Sequence, residues 1–341
     1  MTDALADAIH RIARKQDLPA DVLTGAFDAL LDGNAAPEQV GAFLTGLAVR
    51  GETAADLVAG AKAMRARSRR HAVDGEVLDT CGTGGLPWRS LNTSTAAALV
   101  IAAAGGRVAK HGNRSVPPKT GSADVLEAMG VNLEIDDATF RTCLDGASVA
   151  FMFARTHHSA MRHVAPIRAK LGIRTVFNLL GPLTNPAGAQ YQVLGVFAPD
   201  WVTPMAEALD QLGVKRAWVV HGVDGIDEVS ISGATKVAEV SEMGVHEFEI
   251  VPEDFGLTRS PLKALSGGTP DDNAVAIRDL LDGRPGPFRD VVVLNAAVGL
   301  HVYGKAASVG TALELARQAI DSGAASDTLR KLAALSHGQT P

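Results

Sequence analysis

Apolar residues recur at helical spacing through about the first seventy positions. Leu5, Ile9 and Ile12 form one stripe, and Val22, Leu23, Phe27, Leu30 and Leu31 form a second that stops at Gly33. Val40, Phe43, Leu44 and Leu47 form a third, ending near Gly51. Thr53 with Asp56 reads as a capping box that opens a fourth helix carrying Leu57, Ala61 and Met64. No strand pattern interrupts these stripes, so they predict a small helical unit. The basic run "RARSRR", Arg65 to Arg70, closes it and reads as a solvated helix end where cations suit the C-terminal dipole.

From Val77 the period changes. "EVLDTCGTGG" predicts a strand running into a glycine loop, "LNTSTAAALVIAAAGG" a capped helix, and "RVAKHG" a strand. "GSADVLEAMG" follows as a helix and "ASVAFMFA" as a strand; "YQVLGVFA", "RAWVVHG" and "DVVVLNAA" are the later strands. Strands alternating with helices predict an α/β fold with a mainly parallel central sheet flanked by helices. "APIRAKLGIRTVFNLLGPLTNPAG", Ala165 to Gly188, reads as one more helix and a Gly/Pro break that returns to the helical unit. The predicted division is a small all-helical N-terminal domain, 1–72 with about 166–190, and a larger α/β domain, 73–165 with about 191–341, hinged near Val73 and Ala165.

Composition narrows the partners. The 341 residues are 46% apolar, enough for two cores of ordinary size. A net charge of -6 and 4% aromatic residues argue against nucleic acid and against an anionic membrane surface. The longest apolar run, Ala96 to Ala104, is far short of a membrane span, and the start does not read as a signal peptide. Two cysteines, Cys81 and Cys143, make neither a disulfide framework nor a zinc spacing, so a reducing cytoplasm is expected.

Four clusters carry candidate chemistry. Gly82, Thr83, Gly84 and Gly85 leave a strand as a loop whose amides could approach a phosphate, though a plain tight turn reads as well. Asn92, Thr93, Ser94 and Thr95 cap the alanine-rich helix, and a helix N-terminus is also an anion site. Lys110, His111, Asn113 and Arg114 crowd one strand end, where open parallel sheets bind ligands, with Lys119 and Ser122 following. The adjacent acids Asp227 and Glu228 could share a hard cation or be solvated loop acids. In "THHSAMRHVAPIRAKLGIRT", Arg168 and Arg174 offer guanidinium groups for a carboxylate, and His157 and His158 lack the third ligand that a metal site would need.

"GTGG", "NTST", "KHGNRS", "KTGSADVLEAMGV", "IRAKLGIRTVFNLLGPLTNPA", "DEVS" and "NAAVGL" together resemble the anthranilate phosphoribosyltransferases, in the same order and over roughly residues 5 to 335. The resemblance implies transfer of phosphoribose from phosphoribosyl pyrophosphate to anthranilate in tryptophan synthesis, with magnesium, by a homodimer joined through its helical domain. It also implies site residues. Gly82, Thr83, Gly84, Gly85, Ser90, Asn92, Ser94, Thr95, Lys110 and Ser122 would hold phosphoribosyl pyrophosphate. Gly82, His111, Asn113, His158, Arg168 and Pro182 would hold anthranilate, Arg168 through its carboxylate, and Ser94, Asp227 and Glu228 would serve magnesium.

The chain departs from the family pattern after "GTGG". Leu86 stands where an aspartate is common, Pro87 and Trp88 stiffen the loop, and Arg89 could supply a phosphate contact instead. Ser159 replaces a frequent proline. Two alternatives follow for a loop-altered paralogue. One is a pyrimidine nucleoside phosphorylase of the same architecture, and the other a non-catalytic relative that binds nucleic acid.

Overall fold

Each of the four N-terminal stripes is a helix in the computed structural model, which describes residues 3–85, 88–115 and 120–340. They are α1 (Ala4–Ala13), α2 (Ala20–Leu31), α3 (Pro37–Arg50) and α4 (Ala54–Arg67). The capping box forms: Thr53 N–H donates to Asp56 Oδ2 at 2.8 Å and Asp56 N–H to Thr53 Oγ1 at 3.4 Å. The basic run is more than a solvated end. Arg67 pairs with Asp28 and Asp32 at 2.7 Å each, tying α4 to α2, and Arg65 Nε donates to the Leu183 carbonyl at 2.8 Å.

The second half is built on β1 (Leu78–Gly82), α5 (Thr93–Ala103), β2 (Val108–Gly112), α6 (Ser122–Ala128), α7 (Asp137–Ala147) and β3 (Val149–Phe153). Short helices α8 (Ala154–His157), α9 (Ala165–Leu171) and α10 (Phe177–Leu180) cross to the helical unit and back. Then come β4 (Tyr191–Gly195), α11 (Val202–Gln211), β5 (Arg216–Gly222), β6 (Thr235–Ser241) and β7 (Gly244–Ile250). The chain ends in α12 (Pro270–Leu281), α13 (Pro287–Val302), α14 (Val309–Asp321) and α15 (Ala324–Ser336). The sheet order is β3-β2-β1-β4-β5-β6-β7, parallel through β5 and antiparallel beyond it.

One predicted strand is a helix. "DVVVLNAA" lies inside α13, where Val291 through Leu300 are all buried. A run apolar on every face carries no period, so its valines read as a strand. The mark of the helix is Pro287 at its start. The hairpin β6–β7, whose outer strand is largely exposed, is a further element that the periodicity did not single out.

Side chains alternate across the sheet as strand geometry requires. Val193, Trp218 and Val220 face a core built with α5 and α13. Leu194, Ala217 and Val219 face α11 and join a core that runs without a break into Phe27, Leu57 and Leu180 of the helical unit. The sheet and the helical unit therefore share a core, and what lies between them is held by packing. Strand order reverses at β1 and β4, and in open α/β sheets the crevice beyond such a reversal is where ligands bind.

Candidate active site

The ends of β1 and β4 leave room for an acidic loop because both end in glycine. A Cβ at Gly195 would overlap the Asp227 carbonyl, and one at Gly82 would overlap the Asp227 carboxylate. Asp227 therefore sits in the strand reversal itself, and its Oδ2 accepts from Gly84 N–H at 2.9 Å. Glu228 Oε1 accepts from Ser94 N–H at 3.0 Å, at the opening of α5. Burial raises the pKa of both carboxyls, with Asp227 adding to the effect on Glu228 and Lys110 opposing it. Two buried acids side by side favour neutrality unless a cation joins them.

Lys110 reaches the same place from β2. Its ammonium is buried and donates to the Thr80 carbonyl and to Ser94 Oγ, the latter at 3.3 Å. Burial lowers its pKa, and Asp79 opposes that shift. Asp79 is fully buried in β1; it accepts from His111 N–H at 3.1 Å and from Asn185 Nδ2 at 2.7 Å. It thus holds the "KHGN" strand end in place. Thr83 is fixed by Gly195, whose carbonyl accepts its N–H at 2.9 Å, while its hydroxyl accepts from Phe197 N–H at 3.0 Å. Gly84 and Gly85 adopt φ of 67° and 92°, a left-handed turn that side-chain-bearing residues resist.

The opposite wall comes from the crossing segment. Arg168 on α9 donates to Asn178 Oδ1 at 3.2 Å and lies 5.5 Å from the centre of the Phe177 ring, while its buried Nε has no protein partner. His111 and His158 meet Nε2 to Nε2 at 3.3 Å. Burial drives His111 well below the usual histidine range and His158 to about 4, so both rings are neutral at pH 7. Arg174 lies 3.9 Å over the Phe197 ring and donates to the Gly85 carbonyl at 2.8 Å, clamping the glycine loop from this side.

One cavity of about 540 Å³ collects nearly all the predicted site residues: Gly82 through Gly85, Ser90, Asn92, Ser94, Thr95, Lys110, His111, Asn113, Ser122, Arg168, Pro182, Asp227 and Glu228. His158 stands behind its wall, touching His111. Arg89, the proposed substitute phosphate contact, does not line the cavity, whereas Trp88 does. Leu86, Pro87 and Lys119 lie outside the described residues. The capping reading of Asn92 fails in detail: it occupies the N-cap of α5 but makes no capping hydrogen bond. Asp79, Asn185, Asn178 and Asn273 were not singled out from the sequence. Only Asp79 left a signal there, as a lone acid inside an apolar strand.

The donor set suits a hard cation. The carboxylates of Asp227 and Glu228 with the Ser94 hydroxyl are all oxygen. Among the described residues no group of three or more His, Cys, Asp or Glu gathers into a metal site. A hard cation held there by two carboxylates and a hydroxyl would complete its shell with water and ligand oxygens.

A crevice at a strand reversal, a glycine turn beside a helix N-terminus, a buried lysine and an acid pair make a site suited to a phosphate-bearing ligand, of the kind a glycosyltransferase needs. Residues 74–326 match the glycosyl transferase family α/β domain and residues 6–68 the helical bundle domain of the same family. Within it, the chain belongs to the anthranilate phosphoribosyltransferase family. It is 66% identical to the anthranilate phosphoribosyltransferase of Hyphomonas neptunium over 96% of each chain. The crystal structure of the Thermus thermophilus enzyme superposes with a TM-score of 0.92 at 44% identity, covering 98% of this chain and 100% of that one. The Saccharomyces cerevisiae enzyme, solved in complex with phosphoribosyl pyrophosphate and Mg, superposes at 0.89 with 26% identity and 99% of each chain covered. These likenesses support the transferase reading over the pyrimidine phosphorylase and nucleic-acid-binding alternatives.

Proposed function

We propose that the chain transfers phosphoribose from phosphoribosyl pyrophosphate to the amine of anthranilate in tryptophan biosynthesis, and that the cavity at the β1–β4 reversal is where it does so. The observation that carries this reading is the opposition of two walls. One wall holds the glycine turn, the N-terminus of α5 and Lys110; the other holds the Arg168 guanidinium, whose buried Nε has no protein partner. The first suits a pyrophosphate, the second a carboxylate. The yeast relative's structure with 4-fluoroanthranilate fits the same assignment.

In the reaction the bond from the sugar's anomeric carbon to pyrophosphate breaks, and a bond from that carbon to the amine nitrogen forms. Negative charge builds on the leaving group, where Lys110 and the opening of α5 meet it, the Thr83 and Gly84 N–H groups being held by the Gly195 carbonyl and Asp227. Bound magnesium would supply further stabilisation of that charge, and Ser94, Asp227 and Glu228 would hold it. Gly82, His111, Asn113 and Pro182, with His158 behind, shape the pocket that Arg168 anchors. The attacking aryl amine is uncharged and nucleophilic as it stands. Its surplus proton is acidic once the new bond forms and passes to water. Positioning and charge stabilisation therefore carry the rate.

The working protein is a homodimer in the cytoplasm. The outer face of the helical unit supports the first part: Ile9, Ile12 and Leu18 line a groove beside Val49, which is 83% exposed. The free thiols of Cys81 and Cys143 suit a reducing compartment, and no described helix is long and apolar enough to cross a membrane. The helical unit, 1–72 with about 166–190, shares its core with the sheet, so closure of the cavity about Val73 and Ala165 would be a small shift within that packing.

The test is the loss of anthranilate fluorescence in purified protein. Loss that requires phosphoribosyl pyrophosphate and magnesium together establishes the reading. Folded protein with no such loss, beside a working relative, defeats it.

A further inference from the structure

A fully buried amide lies behind the phosphate wall of the cavity. Asn273 stands in the first turns of α12, is 0% exposed and does not line the cavity. Its Oδ1 accepts from Gly268 N–H at 2.8 Å. Its Nδ2 donates to the Ser90 carbonyl at 3.1 Å and to Asn92 Oδ1 at 2.8 Å. Asn92 Nδ2 in turn donates to the Thr120 carbonyl at 3.1 Å, and the Thr120 hydroxyl donates to the Gly268 carbonyl at 2.9 Å, which closes a ring. The approach is close enough to demand glycine: a Cβ at Gly267 would overlap the Ser90 carbonyl and lie 2.8 Å from Asn273 Oδ1.

The two amides are oriented by backbone groups whose roles are not negotiable. A backbone N–H only donates and a backbone carbonyl only accepts. Gly268 N–H therefore fixes the oxygen of Asn273 on its side, and the Ser90 carbonyl fixes the nitrogen on the other. Asn273 then presents N–H to Asn92, which must answer with oxygen; the Thr120 carbonyl independently requires the nitrogen of Asn92 on its own side. With its oxygen engaged, Asn92 has the second N–H of Nδ2 left to offer. Among the described residues Asn92 Nδ2 donates to the Thr120 carbonyl alone, so its second N–H is open to a ligand.

We infer that Asn273 is a positioning residue for phosphoribosyl pyrophosphate: together with the Thr120 carbonyl it sets the Asn92 amide so that an N–H, rather than a carbonyl oxygen, faces the substrate's anionic oxygens. The inference rests on the reading of Asn92 as a contact of that substrate. An amide turned the other way would present a lone pair to an anion, so orientation decides between attraction and repulsion.

The experiment is a double-mutant cycle on the full-length protein with Asn92→Ala, Asn273→Ala and both together, reading KM for each substrate and kcat. Asn273→Asp is the second variant. It keeps the volume and the acceptor for Gly268 N–H but sets an oxygen against Asn92 Oδ1 and the Ser90 carbonyl. Thermal melts identify which variants fold. The expected result is a rise of about tenfold in KM for phosphoribosyl pyrophosphate in N273A or N273D, the size of one hydrogen bond to a charged group. KM for anthranilate stays close to wild type, and the double variant is no worse than N92A alone. Losses that add in the double variant overturn the inference, because Asn273 would then act on something other than Asn92. An N92A protein with unchanged KM overturns it differently, by removing Asn92 from the substrate contacts while leaving the transferase reading intact.

Discussion

Arg168 enters the cavity short of partners. One of its nitrogens donates to Asn178, Nε is buried with none, and burial lowers its pKa. A carboxylate placed there completes the guanidinium's bonds. Arg168→Ala should raise KM for anthranilate about ten- to a hundredfold, as expected for losing a charged hydrogen bond worth ~1.5–3 kcal/mol, and leave that for phosphoribosyl pyrophosphate nearly alone. Arg168→Lys should recover little, since an ammonium lacks the planar fork. Equal rises in both constants would place Arg168 elsewhere in the reaction. His111 makes the opposite case. Its ring is neutral and hydrogen-bonded to His158, so His111→Asn should lower kcat/KM without ending turnover. Abolished turnover with both substrates still bound would make it a general base, contrary to a reaction run by positioning. Residues of this kind were legible in the sequence because charge and hydroxyls crowd together there: Lys110, His111 and Asn113 lie within four positions. Asp79, Asn185 and Asn273 were not. Asp79 and Asn185 are 106 residues apart, and Asn273 meets Asn92 across 181. Their roles come from tertiary partners, and a solitary Asn in a helix reads as nothing in particular.

At the scale of elements, the parallel strands were legible as short apolar runs, and β1, β2 and β5 each run into the glycine and polar residues that line the cavity or lead to it. The exceptions have separate causes. In α13 the apolar run is uniform, so burial on all sides erased the period, and β-branched residues pointed to a strand. In β6 and β7 the pair is antiparallel and one face is partly exposed, so charged residues dilute the apolar signal. What the pattern could not foretell is how closely strands and loops approach. Gly195 ends β4 beneath the Asp227 backbone, with no room for a methyl group. Gly195→Ala must displace the Asp227 backbone and, with it, the adjoining Glu228 that accepts from Ser94 N–H. The expected outcome is a folded protein whose turnover needs markedly more magnesium, read by titrating the metal and comparing circular dichroism with wild type. An unchanged magnesium requirement would separate the loop's position from the cation.

At the scale of the molecule, the helical unit has two tasks, one outward and one inward. Outward, Val49 beside the groove on α1 and α3 is where the proposed dimer would meet its second copy, so Val49→Asp should convert that dimer to a monomer in light scattering; an unaltered mass would move the interface off this face. Inward, three crossing segments tie the unit to the sheet around a pair of buried histidines. Arg69 N–H donates to the His157 carbonyl at 3.1 Å, His157 Nδ1 lies 3.0 Å from the Arg69 carbonyl, and His71 N–H donates to the Pro186 carbonyl at 3.2 Å. The His71 ring stacks on Phe140 at 4.0 Å and meets His157 edge-on at 4.7 Å, with the charged neighbours Asp137 and Arg69 beside it. Burial, reinforced by His157, drives His71 down to about 4, and burial also lowers His157. Both rings are thus neutral when folded but protonate near 6.5 in the unfolded chain. Between about 4 and 6.5 the unfolded state binds the proton that folded His71 does not, and His157 acts in the same direction, so the stability held above about pH 6.5 is lost as the pH falls toward 4. The melting temperature should decline steadily from pH 7 to pH 5. His71→Phe keeps the stack on Phe140 and removes the proton site, so its decline should be shallower than wild type's. Parallel curves for the two proteins would show that the acid-sensitive groups lie away from the crossing, and that the joint between helical unit and sheet does not depend on the charge of His71.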